Sequence, residues 1–262
     1  MSLFMVACTA KPVEDCMAIE FDNSRHDYIW FNNFTLEKPN LEQITGCAWI
    51  YPSHLISSQY YSNVLGSYIY NDDTIVSGYF AFTIHQNTEV GGNGLMYFSA
   101  YKWNTSGTWY VNNAVTMDTW NHICFTYDAS SVNNNPLLYW NGISQAVIET
   151  SAPQTEKTYT KYRHIVMSNS SGVQSINGLI QDVRIYNRIL SANEIETLAN
   201  SKCLKTVMNG LVFWAPMWGT NDQSFDGLTL TSSHRITDWI NGATGTPYES
   251  PIGRGNTIQP LK

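Results

Sequence analysis

The chain has 262 residues, of which 43% are hydrophobic and only 13% charged, against roughly 25% charged in an average globular domain. Its surface is therefore polar rather than ionic, and a composition poor in charge disfavours both a charged disordered chain and a long-helix protein. With 21 acidic against 14 basic side chains the net charge is -7, which denies a general nucleic-acid or anionic-membrane binder its electrostatic footing.

In chain order, β-branched and aromatic runs separated by Asn, Gly and Ser clusters predict strands at Met17–Phe21, Tyr28–Phe31, Gly46–Tyr51, Tyr68–Tyr70, Gly78–Ile84, Leu95–Tyr101, Trp109–Asn112, Trp120–Tyr127, Leu137–Trp140, Ile165–Ser168 and Gly178–Tyr186. Short strands at this spacing indicate an all-β sandwich or jelly roll. Asn141 and Gly142 stand between two such runs, the signature of a two-residue hairpin turn with both residues at positive φ. In the last run, strict alternation places Ile180, Asp182, Arg184 and Tyr186 on one face and Leu179, Gln181, Val183 and Ile185 on the other, with the second set toward the core. Ser191 and Glu194 form a capping box ahead of Ile195, Leu198 and Ala199, which predicts one short helix over about 192 to 200.

The five cysteines, Cys8, Cys16, Cys47, Cys124 and Cys203, are odd in number, widely spread and contain no CxxC pair, so neither a disulfide framework nor a zinc site is indicated and they read as buried free thiols. Met1 to Cys8 ends like a lipoprotein cleavage box but lacks a basic start and half of the usual apolar stretch. No run approaches the 18 or so apolar residues of a membrane helix. After Cys203 the texture changes: Leu211 to Trp218 is a strand-like apolar run carrying Pro216, and the rest is rich in turn residues.

Three segments together resemble the LamG-like, concanavalin A-like jelly-roll superfamily: Met17 to Ile29, Trp120 to Asp128 with Leu138 to Gly142, and Asn177 to Ile195. The most specific is the last, with its G-x-I-x-D-V-R-I-Y-N-R-x-L-S-x-x-E-I string. The resemblance implies an all-β sandwich of two antiparallel sheets over about residues 15 to 200, used in that superfamily for sugar binding, adhesion, some glycan cleavage and structural roles. Fold does not choose among these. Gly210 to Gly219 is similar to the opening of another such domain, a truncated ending that resembles those of tailed-bacteriophage virion proteins. The expected layout is a jelly-roll domain at 1–203 and a C-terminal docking arm at 204–262.

Glucan-cleaving members carry an E-x-D-x-E string of paired carboxylates; this chain does not, and Asp72, Asp73, Glu194 and Glu196 read as turn and cap residues. His26, His54, His85, His122, His164 and His234 share no metal-ligand spacing and accompany no nucleophile motif. The expectation is a protein that is not an enzyme. The superfamily's frequent Ca²⁺ site, built from hard oxygens, implies Asp22, Asp27 and Asp182 as candidate ligands, with Asn23 and Gln181 departing from the usual residues there. For sugar contacts, Tyr60, Tyr61, Trp103 and Trp109 lie near Asn-rich loops, although aromatics in an all-β chain are mostly core. The sequons at Asn33, Asn104 and Asn169 are what so Asn-, Ser- and Thr-rich a chain produces by chance.

The reading that follows is a virion structural protein, a capsid-decorating or cementing jelly roll or a tail or fibre component. It would be made in the host cytoplasm, homo-oligomeric, and joined to neighbouring virion subunits with Leu211, Phe213, Trp214 and Trp218 as the assembly interface; such an apolar run needs cover, from a neighbour or from the edge of its own sandwich, and Pro216 places it at a sheet edge or bend. The alternative is a carbohydrate-binding lectin module for surface glycans.

Overall fold

The computed structural model describes residues 17–31, 42–54, 62–71, 74–86, 94–101, 103–156, 164–168, 175–217, 236–240, 244–248 and 252–254. In chain order the strands are β1 (Ala18–Phe21), β2 (Tyr28–Phe31), β3 (Gln43–His54), β4 (Ser62–Asn71), β5 (Thr74–Gln86), β6 (Gly94–Ala100), β7 (Trp103–Thr105), β8 (Gly107–Val115), β9 (Asn121–Asp128) and β10 (Leu137–Trp140). They continue with β11 (Ile143–Ser144), β12 (Ile148–Ser151), β13 (Gln154–Glu156), β14 (His164–Met167) and β15 (Asn177–Tyr186), then α1 (Ala192–Ala199), β16 (Leu211–Ala215), β17 (Ile236–Thr237), β18 (Thr244–Tyr248) and β19 (Ile252–Arg254).

One sheet has the order β11-β10-β9-β3-β15-β1-β19, with β16 also paired to β15; the other runs β12-β8-β6-β5-β4-β14-β2-β18-β17, and β13 pairs β7. Apart from one isolated parallel bridge, Asn63 to Ser175, the pairings among the described residues are antiparallel, as in the expected jelly roll. Between the two large sheets lies an aromatic core in which Phe80, Phe82, Phe98, Phe125 and Trp109 are all fully buried. The Phe98 and Phe125 ring centroids stand 4.5 Å apart. Gly46 on β3 lies opposite Phe125 on β9 and leaves space for its ring, since a Cβ there would lie 2.4 Å from it.

The local signals hold. Asn141 (φ 49°) and Gly142 (φ 83°) close the β10–β11 hairpin. Ser191 accepts from the Glu194 amide while the Glu194 carboxylate accepts from the Ser191 amide, so both halves of the capping box are present, and Ile195 and Leu198 are the buried residues of α1. Arg188 donates to Glu194, and that bond, with the cap, holds the Glu194 pKa down to about 2 against the cost of burial.

Strand β15 departs from strict alternation. Its register against β3 shifts between Gln181 and Arg184, and Asp182 takes φ 51°, a left-handed backbone. A bulge inserts one extra residue and so exchanges the faces beyond it. Ile180, Val183 and Ile185 therefore point into the inter-sheet core, whereas Leu179 joins Ala18, Trp49 and Trp120 on the opposite side and Tyr186 packs under α1. The alternation reading had Ile180 and Leu179 the wrong way round.

The cysteine expectation is also corrected. Cys47 and Cys124 are directly opposite on β3 and β9, with Cα atoms 4.2 Å apart, and form a disulfide; Cys203 is disulfide-bonded as well. Cys8 and Cys16 lie outside the described residues.

Candidate functional site

Alternation along the second sheet separates a core side from an outer side. On β6, Met96, Phe98 and Ala100 are buried inward while Leu95, Tyr97 and Ser99 are half-buried outward. Register then places Thr83 of β5 and Tyr110 of β8 beside Tyr97, and Ala81 and Thr108 beside Ser99. His85, Tyr97 and Tyr110 form a ladder of parallel rings across three strands: His85 and Tyr97 are 3.9 Å apart at 13°, Tyr97 and Tyr110 5.2 Å apart at 16°. His85 Nε2 is 3.3 Å from Thr83 Oγ1, and burial lowers its pKa to about 3, so the imidazole is neutral at physiological pH.

Farther across the face, Tyr28, Trp30 and Tyr101 pack on Ala81. Ala81 is flanked in register by Gly66 and Ser99, and these small residues leave room for the rings. The nine strands of this sheet contain no Lys, Arg or Asp, and their one carboxylate, Glu149, sits on edge strand β12, where it accepts from the Trp109 indole at 3.1 Å. The described outward side chains of these strands are thus aromatic and hydroxyl-bearing, with no Lys, Arg or Asp among them. Rings of this kind offer apolar area together with polar edges, the combination that a saccharide's C–H face and hydroxyls require.

The sequence pointed elsewhere for aromatic contacts. Trp103 and Trp109 are core residues, 3% and 0% exposed, with Trp103 Nε1 donating to Tyr127 Oη at 2.8 Å and Trp109 Nε1 to Asn135 Oδ1 at 3.0 Å. Tyr60 and Tyr61 lie outside the described residues, as do Asp72 and Asp73. Tyr97 and Tyr110 were missed; the signal that could have found them is the alternation of Tyr97 with Met96 and Phe98.

The candidate calcium ligands divide between two places. Asp22 and Asp27 flank a single 3-10 turn, Asn23–Arg25, and both hold Arg25: its guanidinium donates to Asp27 at 2.7 and 3.1 Å and to Asp22 at 3.2 Å. The other Asp22 oxygen accepts from the Ser24 amide and hydroxyl. Burial opposes the charge on Asp22, but these bonds and Arg25 hold its carboxyl below the usual range. Asp182 is bound elsewhere, to Arg184 at 2.9 and 3.1 Å, to the Cys203 amide at 2.6 Å and to the Trp214 indole at 2.6 Å. A calcium site needs six to eight oxygens. Here a guanidinium already supplies the positive charge to the Asp22–Asp27 pair, and Asp182 is committed to Arg184, so the three residues do not fit the ion.

Of the two covers expected for the Leu211–Trp218 run, the structure shows the chain's own sandwich edge, which corrects Leu211, Phe213 and Trp214 as an assembly interface. Leu211, Phe213 and Trp214 are 8%, 0% and 1% exposed, because β16 pairs with the C-terminal half of β15, where Arg184 faces Trp214 and Ile185 faces Phe213. The chain's own sandwich supplies the cover that this apolar run needs. Pro216, which cannot donate to a ladder, directly follows the last residue of β16. Trp218 lies outside the described residues. Strands β18 and β19 likewise add to β2 and β1, so the described parts of 204–262 complete the two sheets. Among the described residues no helix is long and apolar enough to cross a membrane.

The profile of the concanavalin A-like lectin/glucanases superfamily matches residues 23–196. Among curated proteins no match was found. Of solved structures, the native heptameric SAP-like pentraxin from Limulus polyphemus aligns with TM-score 0.62 at 14% identity, covering 96% of this chain and 100% of its own. A putative carbohydrate-binding protein from Bacteroides ovatus aligns with the same TM-score and identity, over 96% of this chain and 63% of that one. At such identities these likenesses concern the fold.

Proposed function

The chain belongs to the concanavalin A-like lectin/glucanases superfamily, and from that premise we propose that it is a non-enzymatic carbohydrate-binding module whose glycan lies on the outer face of the nine-stranded sheet. The observation that carries this reading is the Tyr97–Tyr110 ring ladder with the Tyr28, Trp30 and Tyr101 cluster, together on strands that hold no Lys, Arg or Asp. Strands without Lys or Arg favour neutral, hydroxyl-rich saccharides, since a carboxylated or phosphorylated sugar would find no cation on them to repay its desolvation. The superfamily membership and a carbohydrate-binding protein among the fold relatives support the same class. One support for the virion role was an apolar run in need of a surface, and the described part of that run is covered within the chain.

A glycan array spanning neutral and acidic saccharides, probed with and without chelator, tests the proposal. Binding to a class of neutral glycans that survives chelator is expected. Tyr97→Ala and Tyr110→Ala should each weaken it about tenfold, or about 1.4 kcal/mol, with thermal denaturation confirming an intact fold. Silence across the array, or binding that neither substitution changes, would refute the assignment.

A further inference from the structure

On the far side of the other sheet, three soft donors converge. Cys47 and Cys124 face each other across β3 and β9, and His122 stands two residues before Cys124 and so on the same face. One nitrogen of His122 and both sulfurs lie within 4.8 Å of one another, all three residues being buried. The His122 Nε2 to Cys124 Sγ distance is 3.7 Å.

The spacing has a metal's dimensions. A tetrahedral zinc ion with Zn–S of 2.3 Å and Zn–N near 2.05 Å spans about 3.6 Å between sulfur and nitrogen, the separation His122 and Cys124 already have. Two thiolates on the same ion stand about 3.8 Å apart, which side-chain rotation supplies once the Cys47–Cys124 bond is broken. Charge is also provided for. Arg184 is the residue opposite Cys47 on β15, a buried guanidinium that favours thiolate over thiol, itself balanced by Asp182. Two thiolates and a dication then add no net charge to a site closed over by Leu198, Ile195 and Trp214.

We propose that the reduced protein binds one thiophilic divalent cation, of which Zn²⁺ is the natural example, through Cys47, Cys124 and His122, and that the disulfide is the closed form of this site. A dithiol or phosphine reductant delivers two electrons to the S–S bond and is itself oxidised, to a cyclic disulfide or, with water, to a phosphine oxide. The two resulting thiols each release a proton as the metal–sulfur bonds form, and neutral His122 gives a ring lone pair. A water molecule completes the four ligands. Reoxidation by a disulfide-class oxidant removes two electrons from the thiolates, rejoins the sulfurs and releases the ion.

The full chain, reduced with a phosphine and freed of it without air, is titrated with Co²⁺ and then Zn²⁺. One equivalent of Co²⁺ should produce thiolate-to-cobalt charge-transfer and tetrahedral ligand-field bands, and Zn²⁺ should abolish them, whereas the oxidised protein should produce none. Cys203→Ser must keep the bands, Cys47→Ser and Cys124→Ser must lose the charge-transfer intensity, and His122→Gln should weaken Zn²⁺ binding at least about tenfold. The proposal is overturned if the reduced protein keeps its far-UV circular dichroism yet shows no bands, or if the bands survive loss of Cys47 or Cys124. It is equally overturned if reduction unfolds the chain and Zn²⁺ does not restore it.

Discussion

Replacing Asp182 with alanine strikes a single buried group on which three chain segments converge. Its carboxylate, 4% exposed, accepts four hydrogen bonds: two from Arg184, itself 1% exposed, one from the Cys203 amide and one from the Trp214 indole. Burial works against the Arg184 charge, but pairing with Asp182 outweighs it and holds the guanidinium above its ordinary pKa. Truncation leaves that cation buried and unpaired, which costs about 3–5 kcal/mol. It also orphans two N–H donors, at about 1–3 kcal/mol each. Local relaxation makes these overlapping costs, so we expect a loss of at least about 4 kcal/mol, a large part of the roughly 5–15 kcal/mol that holds a domain folded. Urea denaturation of the oxidised protein, followed by tryptophan fluorescence, measures it as a lowered midpoint at constant m. The apolar double replacement Asp182→Leu with Arg184→Met should recover most of the loss, because neither charge is then stranded. A loss under about 1 kcal/mol for Asp182→Ala, or a double variant no better than the single one, would refute the account of this bulge as a satisfied ionic anchor.

Joint replacement of Cys47 and Cys124 by alanine should cost about 4 kcal/mol in thermal or urea unfolding, since the bond closes a separation of 77 residues and the entropy released to the unfolded chain scales with that length. Gly178 has φ 141°, and a Cβ there would lie 2.1 Å from the Tyr51 carbonyl oxygen; Gly178→Ala should destabilise by more than about 2 kcal/mol in the same assay. His85 has its pKa lowered to about 3 in the folded state, against about 6.5 when unfolded. The unfolded chain therefore takes up a proton that the folded chain refuses, so the His85 contribution is full above pH 6.5 and declines toward pH 3 at up to about 1.4 kcal/mol per pH unit. His85→Gln should flatten that part of the stability–pH profile, and an unchanged slope would show that this ring is not buried as described.

What the amino-acid order determined by itself is what nearest neighbours decide. Ser191 and Glu194 cap α1 because their partners are three residues away, and Asn141 and Gly142 turn the hairpin because their own backbone preferences require it. The strand runs, and with them the jelly roll, follow from a period that each strand carries along its own length. What only the tertiary structure decided concerns partners far apart in the chain. The bulge at Asp182 exchanges the faces of Ile180 and Leu179 because Arg184, Cys203 and Trp214 gather around one carboxylate, and no local period encodes that meeting. Cys47 finds Cys124 only once β3 and β9 are laid side by side. Leu211, Phe213 and Trp214 are as apolar in a docking arm as in a core strand; the free length of β15 beyond β1 decides between the two. The same holds for Tyr97 and Trp109, aromatic residues on neighbouring strands, one on the outer face and one in the core. Apolar character sets how strongly a side chain is driven from water, whereas the register of strands brought together from distant parts of the chain sets which surface it meets.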